Sequence, residues 1–189
     1  MNDDITVRAA TVAEARGIAR VLVDAWQTTY AGILPADFLA SFTYDQHEAG
    51  TRGHLESLST SSVVFVAVEE NSGVVGVAHV RQTEAGPRGF SAELDALYVL
   101  ASHQRRKVGN RLLQAVVRWL REHGNQSMFL WVLRDNPYRR FYDKVGGELL
   151  KEEKQDDFGG ATVTSVAYGW RDLDALSARL VEGCGKPPA

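Results

Sequence analysis

One cysteine, Cys184, stands in a chain of 189 residues. A single thiol excludes an internal disulfide framework and suits a reducing compartment. Long apolar runs are missing too, since nothing approaches the roughly 18 consecutive apolar residues of a membrane span. The N-terminus, Met1-Asn2-Asp3-Asp4, is acidic and has no apolar core, unlike a signal peptide. Charge is nearly balanced: 21 Lys and Arg against 24 Asp and Glu leave a net −3, which gives no basis for nucleic-acid binding by the whole surface. The five histidines lack metal-ligand spacing, such as an i, i+4 pair with a third ligand, so no metal site is expected. There is no internal repeat and no low-complexity block. These absences leave the expectation of one cytoplasmic globular domain over residues 1–176. Residues 177–189, ending Gly-Lys-Pro-Pro-Ala, read as a flexible tail.

What is present reads as alternating strands and helices. Ile5 to Arg8 is a short strand. Thr11 followed by Glu14 is a capping-box pattern, and Val12, Ala15, Ile18, Ala19, Leu22 and Trp26 recur at helical spacing to about Thr29. Tyr30 to Pro35 breaks that helix, and a helical region from Pro35 to about Leu58 is interrupted near Phe42 to Asp45. Val63 to Val68 and Val74 to Val80 flank Asn71-Ser72-Gly73 as an antiparallel hairpin, and Phe90 to Leu100 makes a third strand. A helix from Val108 stops at Gly124, and Met128 to Leu133 is apolar enough for a strand buried on both faces. Asn136-Pro137 reads as a helix start, with Asn as cap and Pro at the first position. Glu148 to Gln155 and Thr162 to Trp170 close the order as a second hairpin. The expected fold is α+β in α/β/α layers, around a mixed sheet of about six to seven strands.

The stretch from Leu94 to Leu113 carries the strongest chemical signal. A β-rich run passes through Gln104-Arg105-Arg106-Lys107 and opens a helix at Val108-Gly109-Asn110. Unpaired N–H groups and the positive end of the dipole at a helix start make an anion site, suited to phosphates. Neither a Rossmann fingerprint nor a Walker A pattern is present. From the residues alone, the same loop also reads as a solvated basic turn, or as a cationic patch for RNA without aromatic partners.

Two segments in order resemble the GNAT superfamily of acyl-CoA-dependent N-acetyltransferases. Leu97-Tyr98-Val99 followed by Gln104 to Gly109 is similar to that family's Gln/Arg-x-x-Gly-x-Gly/Ala pyrophosphate loop. Asn136-Pro137-Tyr138-Arg139-Arg140-Phe141-Tyr142, with Gly146-Gly147, looks like its later strand-loop-helix segment. Trp26 to Pro35 resembles the first helix and turn of many members. The resemblance implies a GNAT-like fold over roughly Ile5 to Leu173. It also implies transfer of an acetyl group from acetyl-CoA, used as co-substrate, to a primary amine of a small molecule or peptide by direct attack in a ternary complex. A homodimer is compatible with it; nucleic acid, membrane and metal have no part in it. Lys107 departs from the pattern, standing where glycine is usual. If a left-handed backbone is required there, lysine costs roughly 1 kcal/mol or more. A CoA-binding domain with little transferase activity is therefore the alternative, and an interaction module using the basic loop a further one.

The resemblance assigns cofactor contacts to Leu97, Tyr98, Val99, Gln104, Arg105, Arg106, Lys107, Val108, Gly109, Asn110, Asn136 and Tyr142. A backbone N–H, that of Val99, is the expected donor to the thioester carbonyl. Tyr142 is the candidate general acid for the leaving thiolate, because a phenol near pKa 10 can protonate a thiolate whose acid has pKa about 8.5. Glu93 and Asp95, two apart on one strand face, are candidate general bases. Trp26, Tyr30 and Phe38 are candidates to line the acceptor pocket. Each has a structural reading beside the functional one: core packing for Trp26 and Tyr142, helix capping for Asn136, a solvated strand face for the carboxylates.

Overall fold

The carboxylate of Glu14 turns back to accept from the Thr11 N–H and hydroxyl, both at 2.7 Å, and a helix comes next. In the computed structural model, which describes residues 5–84 and 86–185, this helix is α1, Ala15–Thr29. It buries Ala15, Ile18 and Ala19, as the apolar spacing predicts, and also Val21, Val23 and Ala25, whereas Leu22 and Trp26 of the expected stripe are only partly buried. α2 (Ala36–Ala40) and α3 (Tyr44–Glu56) then divide the second helical region near Phe42.

Strands β1 (Ile5–Ala9), β2 (Ser62–Glu69), β3 (Gly73–Gln82), β4 (Ala92–Val99), β5 (Met128–Leu133), β6 (Glu148–Phe158) and β7 (Ala161–Trp170) form one sheet. Its order is β1-β2-β3-β4-β5-β7-β6, and only β4 and β5 run parallel. The β6–β7 turn is made by Gly159 and Gly160, both at positive φ, which two-residue hairpins of the I′ type require. β4 carries an irregularity where His79 and Val80 of β3 face Ala96 and Leu94, so that Asp95 is the extra residue.

Two helical layers cover the sheet. α1 and α3 pack on Val64, Val66 and Val77; α4 (Val108–Glu122) and α6 (Leu173–Gly185) cover the other face with Leu112, Leu113, Val116, Leu176 and Leu180. Gly76 lets α4 approach: a Cβ there would meet Leu112 at 3.0 Å, and Val108 and the Tyr98 carbonyl at 3.2 Å. The first turn of α4 is thereby fixed close over β3 and β4.

Two local expectations change. α5 is Arg140–Lys144, and Asn136 does not cap it. The Asn136 Oδ1 instead accepts from the Tyr138 N–H at 2.8 Å, so Asn136-Pro137 starts a turn that leads into the helix. At the C-terminus, α6 continues to Gly185 where a loose tail is expected from 177, because Leu176 and Leu180 are fully buried against the sheet. Residues 186–189 lie outside the described part of the chain, as do Met1 to Asp4.

Candidate active site

β4 and β5 pair at a single position, Glu93 with Phe129. Beyond it they part, and the gap opens a cavity of about 890 Å³ between residues 94–99 of β4, residues 130–132 of β5, the loop before α4, and α5. The Leu100 N–H donates to the Val75 carbonyl on β3 at 3.0 Å. Successive N–H groups along a strand point to opposite edges, so those of Leu97 and Val99 aim into the gap. They are suited to receive a carbonyl oxygen on which negative charge develops.

At the mouth of this cavity the loop builds an anion cradle. Arg105 and Lys107 both adopt the left-handed conformation, with φ of 61° and 62°. For non-glycine residues this costs roughly 1–2 kcal/mol each, and residues in this conformation turn neighbouring N–H groups into a concavity that favours anions. The first helical bond of α4 runs from the Arg111 N–H to the Lys107 carbonyl at 3.0 Å. Val108, Gly109 and Asn110 therefore have no intrahelical acceptor for their N–H groups. Lys107 holds the backbone shape that glycine would take without strain.

The loop's third cation points elsewhere. Arg106 reaches Oε1 of Glu69, at the end of β2, at 2.6 Å; His103 Nε2 lies 3.0 Å from the other carboxylate oxygen, which also accepts from the Ser72 hydroxyl. Ser72, His103 and Arg106 together hold the Glu69 carboxyl down at about 2. Sequence reasoning misses Glu69 and His103, because their link to the loop is a contact over more than 30 residues with no local spacing.

Three phenols meet inside. The Asn136 amide donates to the Tyr30 hydroxyl at 3.2 Å, and Tyr30 and Tyr142 both bear electrostatically on the Tyr98 phenol. Tyr142 packs on Tyr168 and Trp170 and lines the same cavity. Burial, with Tyr30 nearby, pushes its phenol well above the ordinary tyrosine range. Tyr98 too is pushed well up by burial, and Tyr30 upward. All three stay protonated at neutral pH.

The sequence matches, over residues 19–147, a known family described as the acetyltransferase (GNAT) family. The chain belongs to that family. Over 176 residues it is 35% identical to an uncharacterized N-acetyltransferase, YuaI, of Bacillus subtilis, covering 93% of this chain and 98% of that one. Among solved structures, the PaiA N-acetyltransferase of Thermoplasma acidophilum in complex with coenzyme A aligns with a TM-score of 0.64 at 20% identity, covering 86% of this chain and 98% of that one. The yncA protein of Salmonella typhimurium, solved with its cofactor acetyl-CoA, aligns with a TM-score of 0.64 at 19% identity, over 90% and 95% of the two chains. The protein is thus an acyltransferase of the GNAT type.

In this GNAT chain the cavity brings together Leu97, Tyr98, Val99, Gln104, Arg105, Lys107, Val108, Gly109, Asn110, Asn136 and Tyr142, and Asp95 and Tyr30 line it as well. Arg106 is turned to Glu69. Trp26 and Phe38 stand behind Tyr30, in an aromatic cluster with Phe42 and Phe158. Glu93 is ion-paired to Arg81, and its carboxyl is raised by burial and by Asp95, with Arg81 opposing. Among the described residues no group of His, Cys, Asp and Glu is placed to hold a metal ion, and no helix is long and apolar enough to cross a membrane.

Proposed function

We propose that this enzyme transfers the acetyl group of acetyl-CoA to a primary amine by direct attack, with both substrates bound together. The observation that carries this reading is the parting of β4 from β5, which turns the Leu97 and Val99 N–H groups into a cavity between an anion cradle and Tyr142. Solved GNAT structures with coenzyme A or acetyl-CoA bound support the choice of acyl donor.

The residues fit that donor. The N–H groups of the loop and of the α4 start would hold the pyrophosphate, and residues 97–99 would hold the pantetheine arm by their backbone. The acyl thioester supplies the carbonyl that the Leu97 and Val99 N–H groups polarise. Tyr142 donates a hydrogen bond to the departing sulfur. Its phenol, raised by burial, lies above the roughly 8.5 of a thiol, so it stabilises the developing charge rather than giving up its proton before the C–S bond has broken. The acceptor loses its proton at the other end of the reacting stretch, near Glu93 and Asp95.

Thermal unfolding with and without coenzyme A tests the reading. A ligand that binds only the folded state raises Tm, by an amount set by its concentration over Kd. A rise with millimolar coenzyme A, and thiol release from acetyl-CoA on adding an amine, is the expected result. No rise sinks the proposal; a rise without thiol release over a broad amine panel makes the protein a coenzyme A binder instead.

A further inference from the structure

A second cavity, of about 430 Å³, lies on the α1 and α3 side of the sheet, against β2, β3 and β4. Ile18, Leu22, Leu55, Val64 and Val77 wall it, Gln46, His47, Thr51 and His54 supply its polar part, and no carboxylate lines it. Ala96, which precedes Leu97, lines both this cavity and the larger one. The space suits a compact apolar group and offers a polycation nothing to pair with.

Its one buried polar group without a partner is Nε2 of His79. The other ring nitrogen, Nδ1, lies 3.5 Å from Oδ2 of Asp95, the extra residue of the β4 irregularity. With Nδ1–H directed at that carboxylate, Nε2 carries a lone pair and no proton. The groups facing the ring are Asp95, Arg81 beside it on β3, and His54 of α3, whose ring stands edge-on at 4.7 Å. Burial lowers the imidazole pKa, with His54 and Arg81 adding and Asp95 opposing, so the ring is neutral at pH 7. The carboxylates of this face are already engaged: Arg81 holds both Glu93 and Asp95.

We propose that the smaller cavity seats the acceptor, a primary amine bearing a compact aromatic or aliphatic group, and that Nε2 of His79 takes the proton from its ammonium. The inference rests on the acetyl-transfer reading above. Asp95 is then the positioning residue that fixes the tautomer and stabilises the imidazolium. The N–H electron pair stays on nitrogen and forms the new C–N bond at the thioester carbonyl as the C–S bond breaks. A second N–H proton compensates the leaving sulfur, which ends as thiol beside Tyr142. His79 returns its proton to water, for a net release of one proton per turnover.

The test uses the full chain, 2-phenylethylamine and spermidine. Histidine-detected NMR of the coenzyme A complex should show the His79 Nε2 resonance moving on millimolar 2-phenylethylamine and not on spermidine. His79→Gln should lower kcat/KM for 2-phenylethylamine about 10²-fold or more and remove the acid limb of its pH profile, with the coenzyme A thermal shift kept. Gly50→Leu provides the independent variant: a Cβ there meets nothing within 4 Å, so the longer side chain fills the cavity from α3 without a clash. It should raise KM for 2-phenylethylamine at least tenfold. An unmoved His79 resonance, an acid limb that survives His79→Gln, or a preference for spermidine overturns the proposal. Loss of the coenzyme A shift in the parent protein would instead overturn acetyl transfer itself.

Discussion

Glu69 and Arg106 are joined at 2.6 Å, and the pair ties the end of β2 to the loop that builds the anion cradle. The loop holds two left-handed residues, Arg105 and Lys107, on either side of Arg106. The Glu69 carboxylate grips the segment at Arg106 and again at His103. Glu69→Gln removes the charge and keeps the shape. It should weaken coenzyme A binding about 3- to 10-fold in calorimetry, as the cost of ordering the loop moves into the binding step. An unchanged Kd would show that the loop holds its shape without this tether.

The same pair sets an acid limit on stability. The Glu69 carboxyl is held at about 2 by Ser72, His103 and Arg106, and that of Glu14 at about 2 chiefly by its hydrogen bond from Arg8. Both lie below the ordinary 4.5, so the folded state binds fewer protons than the unfolded. Their stabilisation is complete above about 4.5 and is lost as pH falls towards 2. The urea midpoint should drop steeply between pH 4.5 and 3, and less steeply in Glu69→Gln.

Lys107→Gly should raise stability by about 0.5–1 kcal/mol, since relief of left-handed strain exceeds the extra freedom that glycine gives the unfolded chain. Chemical denaturation measures it. Coenzyme A affinity separates two roles for the side chain. A several-fold loss in the stabilised variant assigns the ammonium to phosphate binding, and an unchanged affinity leaves the backbone as the whole cradle.

Tyr142→Phe keeps the ring against Tyr168 and Trp170 and removes the hydroxyl. It should lower kcat about 10- to 100-fold, with KM for acetyl-CoA within about twofold. Burial holds the phenol above its ordinary pKa near 10, so the parent enzyme should show no loss of kcat from this group up to about pH 9. Equal turnover of the two proteins would remove Tyr142 from sulfur stabilisation.

Much of this is legible in the chain because it is local. The β-branched runs Val63 to Val68 and Val74 to Val80, the apolar run Met128 to Leu133 and the helical stripe from Val108 each encode an element locally. Long-range pairings are not local. Glu69 meets Arg106, and Asp95 meets His79, only once β2, β3 and β4 are aligned. α6 is missed for a different reason. Its buried stripe is Leu173, Leu176 and Leu180, and a boundary placed after residue 176 cuts that stripe in two. Asn136 shows the limit of cap chemistry: an Asx turn and a helix cap use the same Oδ1 acceptor and differ only in the backbone of the next few residues.

The single pairing between Glu93 and Phe129 has a mechanical consequence. A continuous ladder spreads strain over many hydrogen bonds, whereas here β1 to β4 and β5 to β7 are two stiff plates sharing one backbone rivet. Their alignment is carried by helices, chiefly α4 resting on the first plate and touching α6 beside the second. A molecule lodged in the seam therefore acts as a spacer as well as a reactant, setting the angle between the plates.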